Sequence, residues 1–507
     1  MGLYDFTFYD LIVRNAATFS AFRAWYEDDE DRSLTFAEVQ DRVDLLAGGL
    51  AAAGVEKGDR IGVLGKNSTA FFLLYGAAAA VGAIVVPINW RLSADEVCYN
   101  LNDCTPGLLF ADAEFQDMLS ERKADLPSVH RYYNLKADAG NFESFGSLVD
   151  AGYEAGSVDV CSDDGFVIIH TAAVAGRPRG ALLSHANVLC AGLHLDYYFA
   201  LSGKDVHLSL LPLFHVAGLF MAVGAFQAGA LNVNMSRFDA ARAVSLIEDF
   251  GVSLFFDFPP ILSSVLETAG TEGRDISSVR AVVGLGTQDH IEQYQKVTGG
   301  NYYCMYGQTE TSMLATIGRY SYAPGSAGRP VVLGDVRTVD ERDNPLPAGE
   351  AGEIVMRGPL VFQGYWNLPE ENARTFRGGW HHTGDMGSFD DNGYLFYAGR
   401  MAEKELIKPG GENVYPAEVE KVILEHPAVE NTVVFGVPDP KWKEGIKAVC
   451  LLKDGAQLEA GDLIAFVAGR IARYKKPHYV EMVADFPLKS DGRPDREKIK
   501  ALYGKEG

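Results

Sequence analysis

The sequence predicts an α/β fold: a large N-terminal domain of parallel α/β sheets with a small β subdomain, followed by a smaller α+β lid at the C-terminus. Three observations predict it. Strand-like and helix-like hydrophobic patterns alternate over most of the chain. After about residue 320 they give way to short strands set between Gly, Pro and Asp clusters. Finally, Gly436 to Gly507 carries 14 Lys plus Arg against 11 Asp plus Glu, on a 507-residue chain whose net charge is −23. A chain this long exceeds one hydrophobic core, so at least two domains are expected.

In chain order, Leu34 to Gly54 has apolar residues at helical spacing, Gly58-Asp59-Arg60 turns, and Ile61 to Leu64 is a short apolar strand. Ala70 to Ile88 is nineteen residues without a charge, the length of a bilayer crossing. Its Gly76, Gly82 and terminal Val-Val-Pro fit better an Ala-rich buried helix, a glycine stop and a buried strand. Strand, crossover helix and strand in series imply a parallel sheet covered on both faces. The alternation recurs at Phe166 to Ile169, Asn187 to Leu193, Leu208 to Leu213, Ala240 to Phe250, Leu254 to Phe256 and Val279 to Val283. Val336 to Val339, Glu353 to Arg357 and Tyr394 to Tyr397 read as a small antiparallel subdomain. Beyond Gly399-Arg400 a charged stretch leads into a helix, strand, strand, helix series, which divides the chain into residues 1–400 and 401–507.

Composition excludes some functions. With 45 Lys plus Arg against 68 Asp plus Glu, the chain lacks the general basic surface that neutralises nucleic-acid phosphate. The six cysteines are scattered without a Cys-x-x-Cys pair, so they predict reduced thiols and neither a zinc site nor a disulfide framework. Asp5 and Asp10 stand where a signal peptide would need basic and apolar residues. A cytoplasmic protein without a transmembrane segment is expected, with a homodimer left open.

Two runs carry chemistry. Thr171 to Gly180, TAAVAGRPRG, follows a strand, and its small residues with Arg177 and Arg179 suit a loop whose backbone N–H groups and guanidinium charge hold a polyphosphate. Read alone, it is equally an ordinary small-residue turn. Tyr306-Gly307-Gln308-Thr309-Glu310 places a hydroxyl beside a carboxylate at a strand end, as a magnesium-nucleotide requires; the bland reading of Thr-Glu is a helix cap.

Further runs join these in a recognisable order: GSAGRP at 325, GEIVMRG at 352, GYW at 364, Thr-Gly-Asp at 383, Gly-Arg at 399, Gly-Gly-Glu-Asn-Val-Tyr-Pro-x-Glu at 410 and YKKP at 474. TFAEVQDRVDLLAGGLAAAGVEKGDRI and VPINWRLSADE precede them. In order and spacing the chain resembles the acyl-CoA synthetase branch of the adenylate-forming superfamily over nearly its whole length.

The resemblance implies an ATP-dependent carboxylic acid:CoA ligase that forms an acyl-AMP and then acyl-CoA, AMP and pyrophosphate. It implies ATP, Mg2+ and CoA, with Thr171, Gly176, Arg179 and Gly180 holding phosphate, and Asp385 and Arg400 the ribose. Gly284, Gly286, Thr287 and Tyr306 would enclose adenine beside Gly307 and Gln308. Thr309 would meet phosphate, Glu310 the metal, His215 the acyl pocket, and Gly410, Gly411 and Lys475 the CoA tail. The lid would be mobile about a hinge near Glu403 to Glu405. VAGLFMAVGAF after His215 offers apolar walls without a carboxylate, so the acid expected is apolar and aliphatic, alicyclic or aromatic.

Two departures stand out. Ala172 to Ala175 replace the usual hydroxyl-bearing residues of the phosphate loop and Arg179 its lysine. Arg493 stands where the family's lid lysine bridges carboxylate and α-phosphate, with Lys489 or Lys498 as substitutes. These motivate the alternative of a degenerate homologue that binds nucleotide or acyl-CoA with little or no turnover.

Overall fold

The computed structural model describes every residue except 1, 137–139, 151, 153–155, 157, 172–177, 401–405, 413, 454, 489–493 and 505–507. The helix expected from Leu34 runs over Phe36–Ala52 and starts at a capping box in which Thr35 and Glu38 satisfy each other's backbone N–H groups. The uncharged stretch divides as expected: Ser68 caps the helix Thr69–Val81, Gly82 ends it at φ 71°, and Ile84–Ile88 is a fully buried strand. Among the described residues no helix is long and apolar enough to cross a membrane.

The large domain holds a nine-stranded and a seven-stranded sheet. Their interiors are parallel, as predicted, but antiparallel strands close both edges of the nine-stranded sheet and one edge of the seven-stranded sheet. The most consequential of these pairs Gly165–Thr171 with Arg179–Ser184, with Thr171 facing Arg179 and His170 facing Gly180. The residues between the two strands are too few for a crossover helix, so the strands pair antiparallel. One core, running from Phe8 through Phe72, Phe166 and Phe226 to Tyr302, fills the space between the sheets.

The small subdomain is a four-stranded antiparallel sheet ordered Asp335–Val339, Gly352–Arg357, His381–Phe389, Leu395–Arg400. Its third strand, which carries Thr-Gly-Asp, was not predicted. The lid has its own apolar clusters, one including Ile407, Val419, Ile423, Val434, Ile446 and Leu463. It adds an unpredicted strand, Tyr479–Val483, parallel to Lys443–Leu452. The predicted strand Leu208 to Leu213 is shorter, Val206–Ser209, and the chain turns before Pro212.

Candidate active site

In open α/β sheets ligands bind beyond the carboxyl ends of the strands. Three parallel strands end together at Asp257, Gly284 and Tyr306, and the predicted residues gather there. Gly284 fits only as glycine: a Cβ would stand 1.9 Å from the carbonyl oxygen of Asp257. The buried Asp257 carboxylate accepts from Tyr302, whose hydroxyl in turn accepts from the Gly286 N–H. Burial pushes the Asp257 carboxyl up to about 6. Thr287 stands at the N-cap position of the next helix, and its hydroxyl lies 2.8 Å from His290 Nδ1. A cavity of about 340 Å³ opens where this loop meets the lid turn around Pro440.

The run from Tyr306 to Glu310 connects two clusters. At one end, Tyr306 donates its hydroxyl proton to Asp385 Oδ2 at 2.8 Å, and the Gln308 amide donates both to that oxygen and to the Thr383 carbonyl. Arg400 Nε lies 3.1 Å from Asp385 Oδ1, because strand pairing places the two residues directly opposite. Gly307 lets the run pass closely, since a Cβ there would meet the Met313 carbonyl oxygen at 1.8 Å. The Thr383–Asp385 turn is held from behind by Glu353, which accepts from the Gly384 N–H and lies against His382 and Arg377. Burial opposes its ionisation, yet His382, the Gly384 N–H and Arg377 hold its carboxyl down to about 2.

At the other end, Thr309 and Glu310 sit in a tight buried turn. Glu310 Oε1 accepts from Thr171 Oγ1 at 3.3 Å and from Tyr365 at 2.8 Å; among the described residues Oε2 has no such bond, and a carboxylate oxygen of this kind could take a hard cation. Arg179 is engaged differently from the expectation: its guanidinium stacks 4.0 Å from the Tyr365 ring, donates to the Tyr365 hydroxyl and pairs with Glu371 at 3.1 Å. Gly180 packs a hydrogen where a Cβ would stand 2.6 Å from Ile168.

His215 opens the buried helix Val216–Gln227 and accepts the Ala217 N–H at Nδ1, which leaves the proton on Nε2. Burial, with Lys408 and Arg91 nearby, pushes it down to about 4, so it is neutral at pH 7. Gly410 lies in a tight turn, Pro409–Gly411, beside Trp442 and Pro259. Lys475, read as a CoA-tail residue, is instead buried between Glu96 and Glu418. Gly176, Arg493, Lys489 and the hinge at Glu403 to Glu405 lie outside the described residues.

Sequence reasoning missed Tyr365, Tyr397 and Lys408. Tyr397 stacks near Tyr306 and donates to Asp385. Lys408 reaches from the lid toward the cleft, where burial and Arg400 push its ammonium down to about 8 against the pull of Asp385, Glu444 and Glu310. The Ile-Lys-Pro-Gly-Gly run preceding Glu412 was the available signal.

Residues 12–366 match the AMP-binding enzyme family, and residues 418–493 match the AMP-binding enzyme C-terminal domain. A feruloyl-CoA synthase from Amycolatopsis sp is 33% identical over 479 residues, 93% of this chain and 94% of that protein. A crystal structure from Rhodopseudomonas palustris, proposed to be a long-chain-fatty-acid CoA ligase, is 42% identical and superposes with a TM-score of 0.75 over 79% of this chain and 100% of that one. The o-succinylbenzoate CoA synthetase of Bacillus subtilis is 26% identical. A doubly substituted form bound to a CoA product analogue gives a TM-score of 0.85 over 97% of this chain and 98% of that one. Its complex with AMP gives 0.71 over 98% of each. The chain belongs to the AMP-binding enzyme family, within the acyl-CoA synthetase branch of the adenylate-forming enzymes.

Proposed function

We propose that the protein joins an apolar carboxylic acid to CoA through an acyl-adenylate, using ATP bound along the run from Tyr306 to Glu310. One observation carries this reading: five consecutive residues connect a ribose-type carboxylate, Asp385, to a phosphate-end group of Thr171 and Glu310. A carboxylate oxygen attacks the α-phosphorus, the bond to the β-phosphate oxygen breaks, and pyrophosphate leaves. The CoA sulfur then attacks the acyl carbon and AMP departs with the electron pair. Asp385 and Arg400 hold the nucleoside, so the α-phosphorus is presented in line, and neutral His215 lines the acid's pocket without adding a charge. Magnesium held by Glu310 would neutralise phosphate charge.

The lid serves both steps by turning about a boundary near residue 400. The difference between 0.85 and 0.71 for one relative in two complexes supports this reading, the chain superposing better on the form bound to a CoA product analogue. The experiment is initial-rate AMP release over short, long, alicyclic and aromatic acids, with and without CoA, beside acid-dependent pyrophosphate exchange. Absence of both across the panel would reject the reading. The engagement of Arg179 with Glu371 and Tyr365 favours the alternative of a binder without turnover; tight AMP binding with no AMP released from ATP would decide for it.

Lys408 gives a pH prediction. Burial and Arg400 lower its ammonium to about 8. A phosphate beside it raises that value, so AMP binding takes up a proton above pH 8 and AMP affinity falls as pH rises through that range. Calorimetry in two buffers of different ionisation heat should detect this uptake, and Lys408→Met should lack it.

A further inference from the structure

Segment 89–96 of the large domain makes a cluster of polar contacts with the lid. Lys475 of the lid is 3% exposed, with Nζ 2.5 Å from Glu96 Oε1 and 2.7 Å from Glu418 Oε2. Glu418 belongs to the lid helix Pro416–Leu424, whereas Glu96 belongs to the large-domain helix Ala94–Cys104. Glu96 Oε2 also accepts the lid's Ala472 N–H at 3.2 Å. Nearby, Arg91 Nη1 lies 3.0 Å from Glu412 Oε1, and Asn89 donates to Glu412 Oε2 at 3.3 Å. Glu412 directly follows Gly410-Gly411, so this cluster fixes how that turn stands in the cleft.

The contact is built to be released. If the lid turns away, Glu96 keeps its helix-capping bonds from the Ser93 N–H at 2.8 Å and hydroxyl at 2.7 Å. Lys475 keeps Glu418. Neither Glu96 nor Lys475 is thereby left as a bare buried charge, the condition that makes breaking an ion pair most costly. We propose that Glu96 is a positioning residue for thioester formation: by clasping Lys475, with Arg91 clasping Glu412 beside it, it holds the lid in the orientation that presents Gly410-Gly411 and Lys408 to the acyl-adenylate.

This inference rests on the two-step reading above, and its test separates the two. Glu96→Gln retains an oxygen for Ser93 but removes the charge that Lys475 meets. With acyl-AMP supplied directly, the variant is expected to form thioester about ten-fold more slowly, the size of a typical coupling between sites, while acid-dependent pyrophosphate exchange does not slow. Equal slowing of both steps, or of neither, overturns the latch. A second measurement uses no turnover: distances between probes on the two domains, which in Glu96→Gln should shift away from the unsubstituted population. An unchanged distribution also overturns it. If the unsubstituted protein performs neither step, the two-step reading fails, and the distances still test the latch.

Discussion

Glu310→Gln is expected to lower acid-dependent pyrophosphate exchange by about 10²- to 10³-fold, the loss typical of deleting one electrostatic contact to a transition state. The fold should survive, because among the described residues the Glu310 side chain's bonds, from Thr171 and Tyr365, end on one oxygen, and an amide oxygen accepts both. The substitution removes the charge that, on the proposed reading, holds a hard cation at the phosphate end of the cleft. A magnesium titration of exchange rate checks the assignment: the variant should need far more metal and still stay slow. A rate within a few-fold of the unsubstituted protein would take Glu310 out of this role.

Asp385→Ala should damage both binding and stability. The carboxylate is almost fully buried and receives Tyr306, Gln308, Tyr397 and Arg400. Removing it leaves the Arg400 guanidinium without its buried counter-charge, a change that costs about 3–5 kcal/mol. On the proposed reading it also removes the acceptor for the ribose hydroxyls. Bonds to a charged acceptor contribute about 1.5–3 kcal/mol each, so AMP affinity should fall by about 10²- to 10⁴-fold. Thermal unfolding and calorimetric titration with AMP measure the two losses separately. Asp385→Asn, which keeps the shape, should lose less stability than Asp385→Ala. AMP binding by Asp385→Ala with undiminished affinity would show that the ribose lies elsewhere.

Much of the site was legible in the sequence because its chemistry comes in short runs. Residues 306–310 and 383–385 each hold several functional groups, and local spacing is what a sequence displays directly. Groups contributed by distant pairing were hidden. Tyr365 reaches Glu310 across 55 positions and Arg179 reaches Glu371 across 192, so neither the hydroxyl at the phosphate end nor the engagement of Arg179 could be foreseen. The same holds for Lys475, whose charge suggested a phosphate partner but whose burial between two carboxylates depends on how the domains dock. The fold was readable where helices and buried strands have clean periods. The strand His381–Phe389 escaped notice because Gly384, at φ 68°, and a register shift after Met386 break its alternation.

The antiparallel pairing that flanks the expected phosphate loop bears on its unusual alanines. The sheet ladder sets Thr171 across from Arg179, so the separation of these two flanking residues is dictated by paired backbones. The placement of Thr171 against Glu310 is thereby anchored in the sheet and does not need hydroxyl-bearing residues at 172–175.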